Sequence, residues 1–311
     1  METVGVVGLG VMGLGIAQVF AAAGHPVIVT DAVPDVRDTA LDRLRDACKM
    51  RVAAGRMDPA DMARMLRRVR LAEGVEGLAG TDLVIEAIAE RLDAKQALFA
   101  ALERVTAGVL ATNTSSLSVA AIGAGLADPT RLLGLHFFNP ATAMKLVELV
   151  GAPATAPEAL ALARRVAEGA GKTVIACPDR PGFIVNRCAR PYYGEALAML
   201  EEGRDPAGID AAMVAAGYRM GPFALIDLIG ADVNLAATEG LAAAMGGHPR
   251  YHVFDGLRAQ VAAGALGRKA GRGFLVGAAP VDPPADGKAI ALRIEAALAN
   301  EAASLLAEGG V

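Results

Sequence analysis

Several polar residues of this chain stand where apolar, strand-like runs end, and their types suit proton transfer. His136 and Asn139 lie in LLGLHFFNP, Asn113 and Ser115 follow the run Val109–Thr112, and Glu148 is the sole charge in LVELV. A carboxylate in so apolar a strand needs a partner, and His136, in a run that could pair beside it, is the obvious one. A lone histidine in an apolar run reads as a core residue. A carboxylate that orients the imidazole and stabilises its charged form turns that reading toward acid–base catalysis. Asn186, in PGFIVNR, is one more polar group, at the start of a helical stretch.

Beside a nicotinamide such a pair could take a hydroxyl proton as hydride leaves carbon, and the first 31 residues supply a candidate dinucleotide site. Val4–Val7 is a short apolar run, followed by GLGVMGLGIA, in which Gly8, Gly10 and Gly13 have the spacing G-x-G-x-x-G. A helical pattern runs from Gly13 to Ala23, Gly24 stops it, and Pro26–Thr30 reads as a second strand ending in Asp31. The glycine spacing alone is a weak signal; strand, turn, helix, strand and acid in this order are the context that a dinucleotide site requires. Gly8 allows the tight turn, Gly10 lets the backbone approach a pyrophosphate, and Gly13 lets the helix pack close to the strand. Val11 and Met12 sit at the start of the helix, whose N–H groups and dipole favour phosphate. Asp31, close to the ~20 residues onward where a carboxylate meets the ribose hydroxyls, is followed by Ala32 and Val33 with no arginine. That favours NAD over NADP.

These residues need a scaffold. Val69–Ala72, Asp82–Ala87, Val109–Thr112, Leu132–Phe138, Leu146–Val150 and Thr173–Ala176 read as further strands, with helices at 90–104, 118–124 and 157–169 between them. Alternating strands and helices predict an α/β fold, a Rossmann-type doubly wound and mostly parallel sheet. Residues 31–68 are long for one crossover. They read as helical stretches over about 34–54 and 58–68, either a solvated helical hairpin or a surface over an extended ligand. Beyond Pro178–Gly182 the pattern is almost wholly helical, with candidates at 183–202, 206–216, 222–229, 231–245 and 250–264. The expected organisation is a dinucleotide-binding domain over 1–180 and an all-α domain over 181–276. Residues 277–311 form a proline-containing linker and a helix over 289–308. When Arg293 is set against Arg187, Glu301 falls on Glu195, Ala302 on Ala196, Leu306 on Leu200, Glu308 on Glu202 and Gly309 on Gly203. The tail thus reads as the first helix of a second copy of the helical domain, or as a coincidence between two Ala/Glu/Leu-rich helices.

Composition excludes other classes. The net charge is -4 without a basic block, so no nucleic-acid partner is expected. No apolar run reaches the ~18 residues of a membrane span, and the N-terminus has no signal-peptide layout. Cys48, Cys177 and Cys188 are far apart, and neither they nor the four histidines have metal-ligand spacing. A reduced, cytoplasmic setting and no metal are expected.

The motifs GLGVMGLGIA, VIEAIAERLDAK, TNTSSLSV, GLHFFNP, MKLVELV, PGFIVNR, GYRMGPFALIDLIG and GRKAGRGF occur in that order. Over 4–275 the chain resembles the 3-hydroxyacyl-CoA dehydrogenase family. The resemblance implies NAD, an acyl-CoA substrate, a helical domain that forms a homodimer, and reversible oxidation of an L-3-hydroxyacyl-CoA to the 3-ketoacyl-CoA. By the same resemblance His136 is the catalytic base and Glu148 its partner, while Ser115 and Asn186 contact the substrate's 3-oxygen. Asn113 and Ser115 in TNTSS, Asn139, Glu90, Lys95 and Lys269 are on the cofactor side. In RDACKMRVAAG the family's CoA contacts have no one-for-one counterpart; Lys49 and Arg51 are loose candidates. NRCARPYYGEALAMLEEG and LIGADVN look most like bacterial 3-hydroxyadipyl-CoA dehydrogenases of phenylacetate breakdown, longer chains with a second helical repeat. 3-Hydroxybutyryl-CoA enzymes are close behind, and fatty-acid catabolism is the other setting. Two rivals are a CoA-independent 3-hydroxyacid dehydrogenase and a non-catalytic dinucleotide-binding protein on the same fold.

Overall fold

Short apolar runs rich in Val, Ile and Leu bury both faces when helices cover a sheet on each side. A computed structural model, which describes residues 1–309, divides the chain into two units, Met1–Arg180 and a second from Pro181 onward. The first unit holds strands β1 (Val4–Val7), β2 (Val27–Thr30), β3 (Val69–Leu71), β4 (Leu83–Glu86), β5 (Val109–Thr112), β6 (Leu132–Phe137), β7 (Leu146–Gly151) and β8 (Thr173–Pro178). Its helices are α1 (Val11–Ala23), α2 (Pro34–Asp38), α3 (Ala40–Ala53), α4 (Pro59–Leu66), α5 (Leu92–Val105), α6 (Val119–Gly123) and α7 (Pro157–Gly169).

The strands form one sheet in the order β3-β2-β1-β4-β5-β6-β7-β8. Every neighbouring pair is parallel except β6 and β7. The order reverses direction between β1 and β4, and ligands of such sheets bind at that switch point, beyond the carboxyl ends of the strands. Val4, Val6, Leu83, Ile85, Ala111, Leu133 and Leu135 are sealed in the core beneath α1 and α7. The 31–68 excursion is more than a solvated hairpin, because Ala40, Leu44, Cys48 and Met65 are buried in that same core.

The second unit is a helical bundle of α8 (Val185–Glu201), α9 (Pro206–Ala215), α10 (Pro222–Ile229), α11 (Ala231–Ala244), α12 (Asp255–Ala262) and α13 (Gly287–Ala307). Its core joins Leu197, Ile209, Met213, Phe223, Ile226 and Leu257 to Ile290 and Ile294 of α13. The tail helix therefore folds as part of this bundle.

Several element ends shift by one or two residues from the sequence reading, and three departures have more to say. The helical stretch at 34–54 breaks into α2 and α3 at Thr39, whose hydroxyl bonds back to the Asp35 carbonyl; such local bonds compete with helix propagation. The helix expected from Glu90 begins at Leu92, because the Glu90 carboxylate is turned onto the Thr114–Ser116 backbone and hydroxyls. The 250–264 stretch is a 3-10 turn at Pro249–Tyr251 and then α12. Among the described residues no helix is long and apolar enough to cross a membrane, and no group of His, Cys, Asp and Glu could hold a metal ion.

Candidate active site

Each glycine of the N-terminal turn has a separate physical reason. Gly8 has φ +92, and a Cβ there would lie 2.6 Å from the Ala87 carbonyl oxygen. A Cβ on Gly13 would lie 1.7 Å from the Gly8 carbonyl oxygen, so only glycine lets α1 start this close to β1. Gly10 caps α1, and a Cβ there would meet nothing within 4 Å. That open face borders a cavity of about 840 Å3 whose lining also includes Gly8, Thr30, Asp31, Val33, Glu73 and Glu76. Val11 is exposed at the first turn of α1, while Met12 is half-buried against the core.

The cavity's residues fit a dinucleotide. Asp31 accepts from the Leu9 amide at 2.7 Å and the Val33 amide at 2.8 Å, which fixes its carboxylate at the end of β2. The Thr30 hydroxyl, beside it, is buried without a hydrogen-bond partner and lines the cavity. Buried polar groups are normally satisfied, so this hydroxyl marks a place for a polar ligand atom. The lining holds Asp31, Glu73 and Glu76 and no base, a setting that repels an added phosphate on the ribose.

His136 and Glu148 face each other directly across the antiparallel β6–β7 ladder. The His136 Nδ1 to Glu148 Oε2 distance is 2.7 Å, and both side chains are buried. The pair follows from strand register, since directly opposed residues place their side chains on the same face. Phe138 lies against the imidazole with ring centroids 4.6 Å apart. The Asn113 side-chain oxygen accepts from the Phe137 amide at 2.8 Å, tying the end of β5 to the strand that carries His136. Asn139 is exposed just beyond β6.

The Ser115 loop hangs on a buried charge network. Lys95 on α5 is only 1% exposed, and its ammonium lies 2.5 Å from Glu86 and 3.2 Å from Glu90. Glu86 also accepts from the Ile88 amide and the Thr112 hydroxyl. Glu90 accepts from the Thr114 hydroxyl, the Ser115 and Ser116 amides and the Ser116 hydroxyl. Burial pushes the Glu90 carboxyl up, but the Thr114 hydroxyl, Lys95 and the Ser115 amide outweigh it and hold it below its ordinary value. Lys95 and Glu90, expected together on the cofactor side, are thus brought together by the fold. The Lys95 ammonium is enclosed by two carboxylates and acts on Glu90, and Glu90 holds the serine loop. Asp179 grips the far end of that loop, accepting from the Ser118 hydroxyl and the Val119 and Ala120 amides.

Lys269, also expected at the cofactor, forms an ion pair with Asp232 at 2.6 Å within the helical unit. Asn186 is the second residue of α8, just after Gly182 and Phe183, both at positive φ. Lys49 pairs with Asp46 on the surface. Arg51 instead lines a cavity of about 480 Å3 with Lys145 and Lys172. Sequence reasoning missed Glu86, although it is the sole charge in the run LVIE and the argument that singled out Glu148 applies equally to it. It also missed Thr30 and Asp179, for which the sequence carries no comparable signal.

A doubly wound parallel sheet with a glycine turn at its switch point and a buried His–carboxylate pair defines a nucleotide-dependent oxidoreductase fold. The family model described as 3-hydroxyacyl-CoA dehydrogenase, NAD binding domain, matches residues 3–180, and the corresponding C-terminal domain matches 182–277. The chain belongs to the 3-hydroxyacyl-CoA dehydrogenase family, and its first unit is that family's NAD-binding domain. It is 44% identical over 277 residues to 3-hydroxyadipyl-CoA dehydrogenase of Escherichia coli, covering 88% of this chain but 58% of that protein. It is 38% identical to a probable 3-hydroxybutyryl-CoA dehydrogenase of Bacillus subtilis, covering 86% of this chain and 95% of that one. The crystal structure of 3-hydroxybutyryl-CoA dehydrogenase from Escherichia coli superposes with a TM-score of 0.87 at 42% identity, over 91% of this chain and 61% of that one.

Proposed function

We propose that this chain catalyses the reversible, NAD-dependent oxidation of an L-3-hydroxyacyl-CoA to the 3-ketoacyl-CoA. The observation that carries the reading is the 2.7 Å contact between His136 Nδ1 and Glu148 Oε2 on facing strands of the NAD-binding domain. With Glu148 ionised, His136 donates from Nδ1, and Nε2 carries the lone pair. As hydride leaves C3 of the substrate, Nε2 takes the proton of the 3-hydroxyl and the C3–O bond becomes a carbonyl. In the reverse direction the imidazolium returns that proton. NAD bound in the cavity beyond β1 and β2 supplies the hydride acceptor. Gly8, Gly10, Gly13 and Asp31 hold its phosphates and ribose in this reading, with Asn113 and Asn139 toward the nicotinamide. Ser115 is proposed to hold the 3-oxygen. Asn186 lies in the other unit, and its proposed share in that contact stands on the PGFIVNR motif alone.

The proposed substrate class includes the 3-hydroxybutyryl and the dicarboxylic 3-hydroxyadipyl thioesters named for the relatives above, in phenylacetate or fatty-acid catabolism in the cytoplasm. His136→Gln is the test, with acetoacetyl-CoA and NADH. Positioned acid–base catalysis contributes roughly 100- to 10,000-fold, so kcat falls by about that factor with NADH binding and the melting temperature retained. Turnover close to wild type in the folded variant sinks the assignment. A panel of C4 to C16 3-ketoacyl-CoAs with 3-oxoadipyl-CoA then ranks the substrates, and activity on free 3-hydroxybutyrate alone would favour the CoA-independent reading.

A further inference from the structure

One buried guanidinium of the helical unit has no acid to answer it. Arg190, on α8, is 9% exposed. Among the described residues no carboxylate pairs with it, whereas Arg187, three residues earlier, meets both Glu301 and Glu308. The Arg190 Nη1 donates to the Thr238 hydroxyl at 3.0 Å and, at a longer 3.4 Å, to the Asn234 carbonyl. Thr238 in turn donates to that carbonyl at 2.7 Å, so both acceptors belong to one turn of α11. The guanidinium carbon stands 4.9 Å from the centre of the Tyr193 ring, which supports the cation from one side. Nε and Nη2 have no acceptor among the described residues. Burial holds the pKa of the group below its ordinary value, with only the Tyr193 phenol acting the other way. Arginine stays charged in proteins, and a buried charge is ordinarily paired. Arg190 therefore marks a place for an anion that the chain itself does not supply.

The anion that matches two adjacent guanidinium donors is a carboxylate, gripped by two parallel hydrogen bonds. Arg190 follows the half-buried Asn186 by four residues on α8, and residues four apart share a helix face. We propose that Arg190 receives a carboxylate at the far end of the acyl chain, so that a dicarboxylic acyl thioester is the preferred substrate. The inference rests on the reading above, in which Asn186 contacts the 3-oxygen. From Asn186, one turn of helix carries about 6 Å along the axis to Arg190. A carboxyl carbon three bonds beyond C3 lies about 4 Å from it, as successive Cα atoms do across three bonds, and the hydrogen bonds at each end close the rest. A six-carbon dicarboxylic acyl group has its second carboxylate at that position. A four-carbon acyl group ends one bond beyond C3, and a neutral six-carbon one sets a methyl group against an unanswered charge. Nη1 stays tied to α11 throughout, which holds the remaining donors in one orientation before the substrate arrives.

The experiment measures kcat/KM of the full chain with NADH for 3-oxoadipyl-CoA and for 3-oxohexanoyl-CoA, which has the same six acyl carbons and no second carboxylate. A hydrogen-bonded contact between charged groups favours the first by about 10- to 150-fold in the wild type, and Arg190→Met brings the ratio close to one. A residue that served only the fold would lower both values together and leave the ratio where it was. A wild type with no preference for 3-oxoadipyl-CoA overturns the proposal, and so does a preference that survives Arg190→Met. Should that variant fail to fold, Arg190→Lys keeps the charge and loses the two-pronged grip; the ratio then falls below that of the wild type, and an unchanged ratio overturns the proposal. Acetoacetyl-CoA separates this failure from failure of the dehydrogenase reading. Turnover of acetoacetyl-CoA without the dicarboxylic preference removes the carboxylate receptor alone, and no turnover on any of the three thioesters removes both.

Discussion

Lys95→Met removes the ammonium from the centre of the network that holds the serine loop. The methionine fills much of the same volume, so the change is chiefly one of charge. Lys95 and Glu86 are 1% and 0% exposed, and the Glu90 carboxylate is one-third exposed. Removing one partner of a buried ion pair costs about 3–5 kcal/mol, because the other charge stays behind unpaired. Glu86 keeps the Ile88 amide and the Thr112 hydroxyl as donors, which places the loss at the lower end, about 3 kcal/mol. For a unit the size of Met1–Arg180 that corresponds to a melting temperature lower by about 6–12 °C. The assay is thermal unfolding by circular dichroism with tertiary signals from the first unit. Adding Glu86→Gln to Lys95→Met removes the stranded charge and should recover part of the loss. Steady-state kinetics on the folded fraction should show reduced kcat with the NADH dissociation constant little changed, since Lys95 acts through Glu90 and Ser115. A variant that melts with wild type, or one that loses NADH binding first, refutes this reasoning.

Gly10→Ala should fold as stably as wild type, since its Cβ meets nothing and its backbone is extended, yet bind NADH more weakly; unchanged affinity by titration would remove the pyrophosphate from that face. Gly13→Ala should lose both fold stability and NADH binding, because its Cβ collides with the Gly8 carbonyl; a soluble, NADH-binding Gly13→Ala contradicts the turn geometry. Asp210 caps α10 by accepting from the Phe223 and Ala224 amides, and burial, only partly offset by those bonds, pushes its carboxyl up to about 6. An acid raised on folding contributes stability at pH below its ordinary value and loses it as pH rises through the folded value. Relative to Asp210→Asn, wild type should therefore weaken between about pH 4 and pH 6, read as the difference of two melting curves; parallel pH profiles would count against it. If the cavity that Arg51 lines with Lys145 and Lys172 receives the CoA phosphates, Arg51→Ala should raise the KM for acetoacetyl-CoA with kcat kept, whereas Lys49→Ala should change neither; the opposite ranking would place those phosphates elsewhere.

The parallel strands were legible because a strand covered on both faces must be apolar throughout, and Asp82–Ala87 and Val109–Thr112 announce themselves that way. The dyad was legible for a related reason: a single carboxylate in LVELV has to be answered by something, and His136 was the obvious group to do so. The burial of Lys95 was not legible, because motif spacing tells which residues recur together and not which way a side chain points. A lysine on a half-buried helix can turn inward when two acids await it, and nothing in E-x-x-x-x-K distinguishes that from a solvent-facing one. Helix ends were poorly legible wherever a side chain competed for the backbone, as Thr39 does between α2 and α3. The likeness of α13 to α8 was visible as an alignment, but an alignment does not say that α13 packs into the same bundle.

The antiparallel join between β6 and β7 has a consequence for how the dyad is held. Because the imidazole and its carboxylate stand opposite each other on one hydrogen-bonded ladder, their separation is inherited from backbone pairing. It does not depend on the segment 138–145 that connects the strands, which is anchored separately where Lys172 donates to the Ala141 and Met144 carbonyls. A slip of one residue would throw one of the two side chains to the opposite face, so the ladder tolerates no drift. The spacing of the two groups and the path of the chain between them are thereby fixed by separate sets of contacts, the ladder for the first and Lys172 for the second.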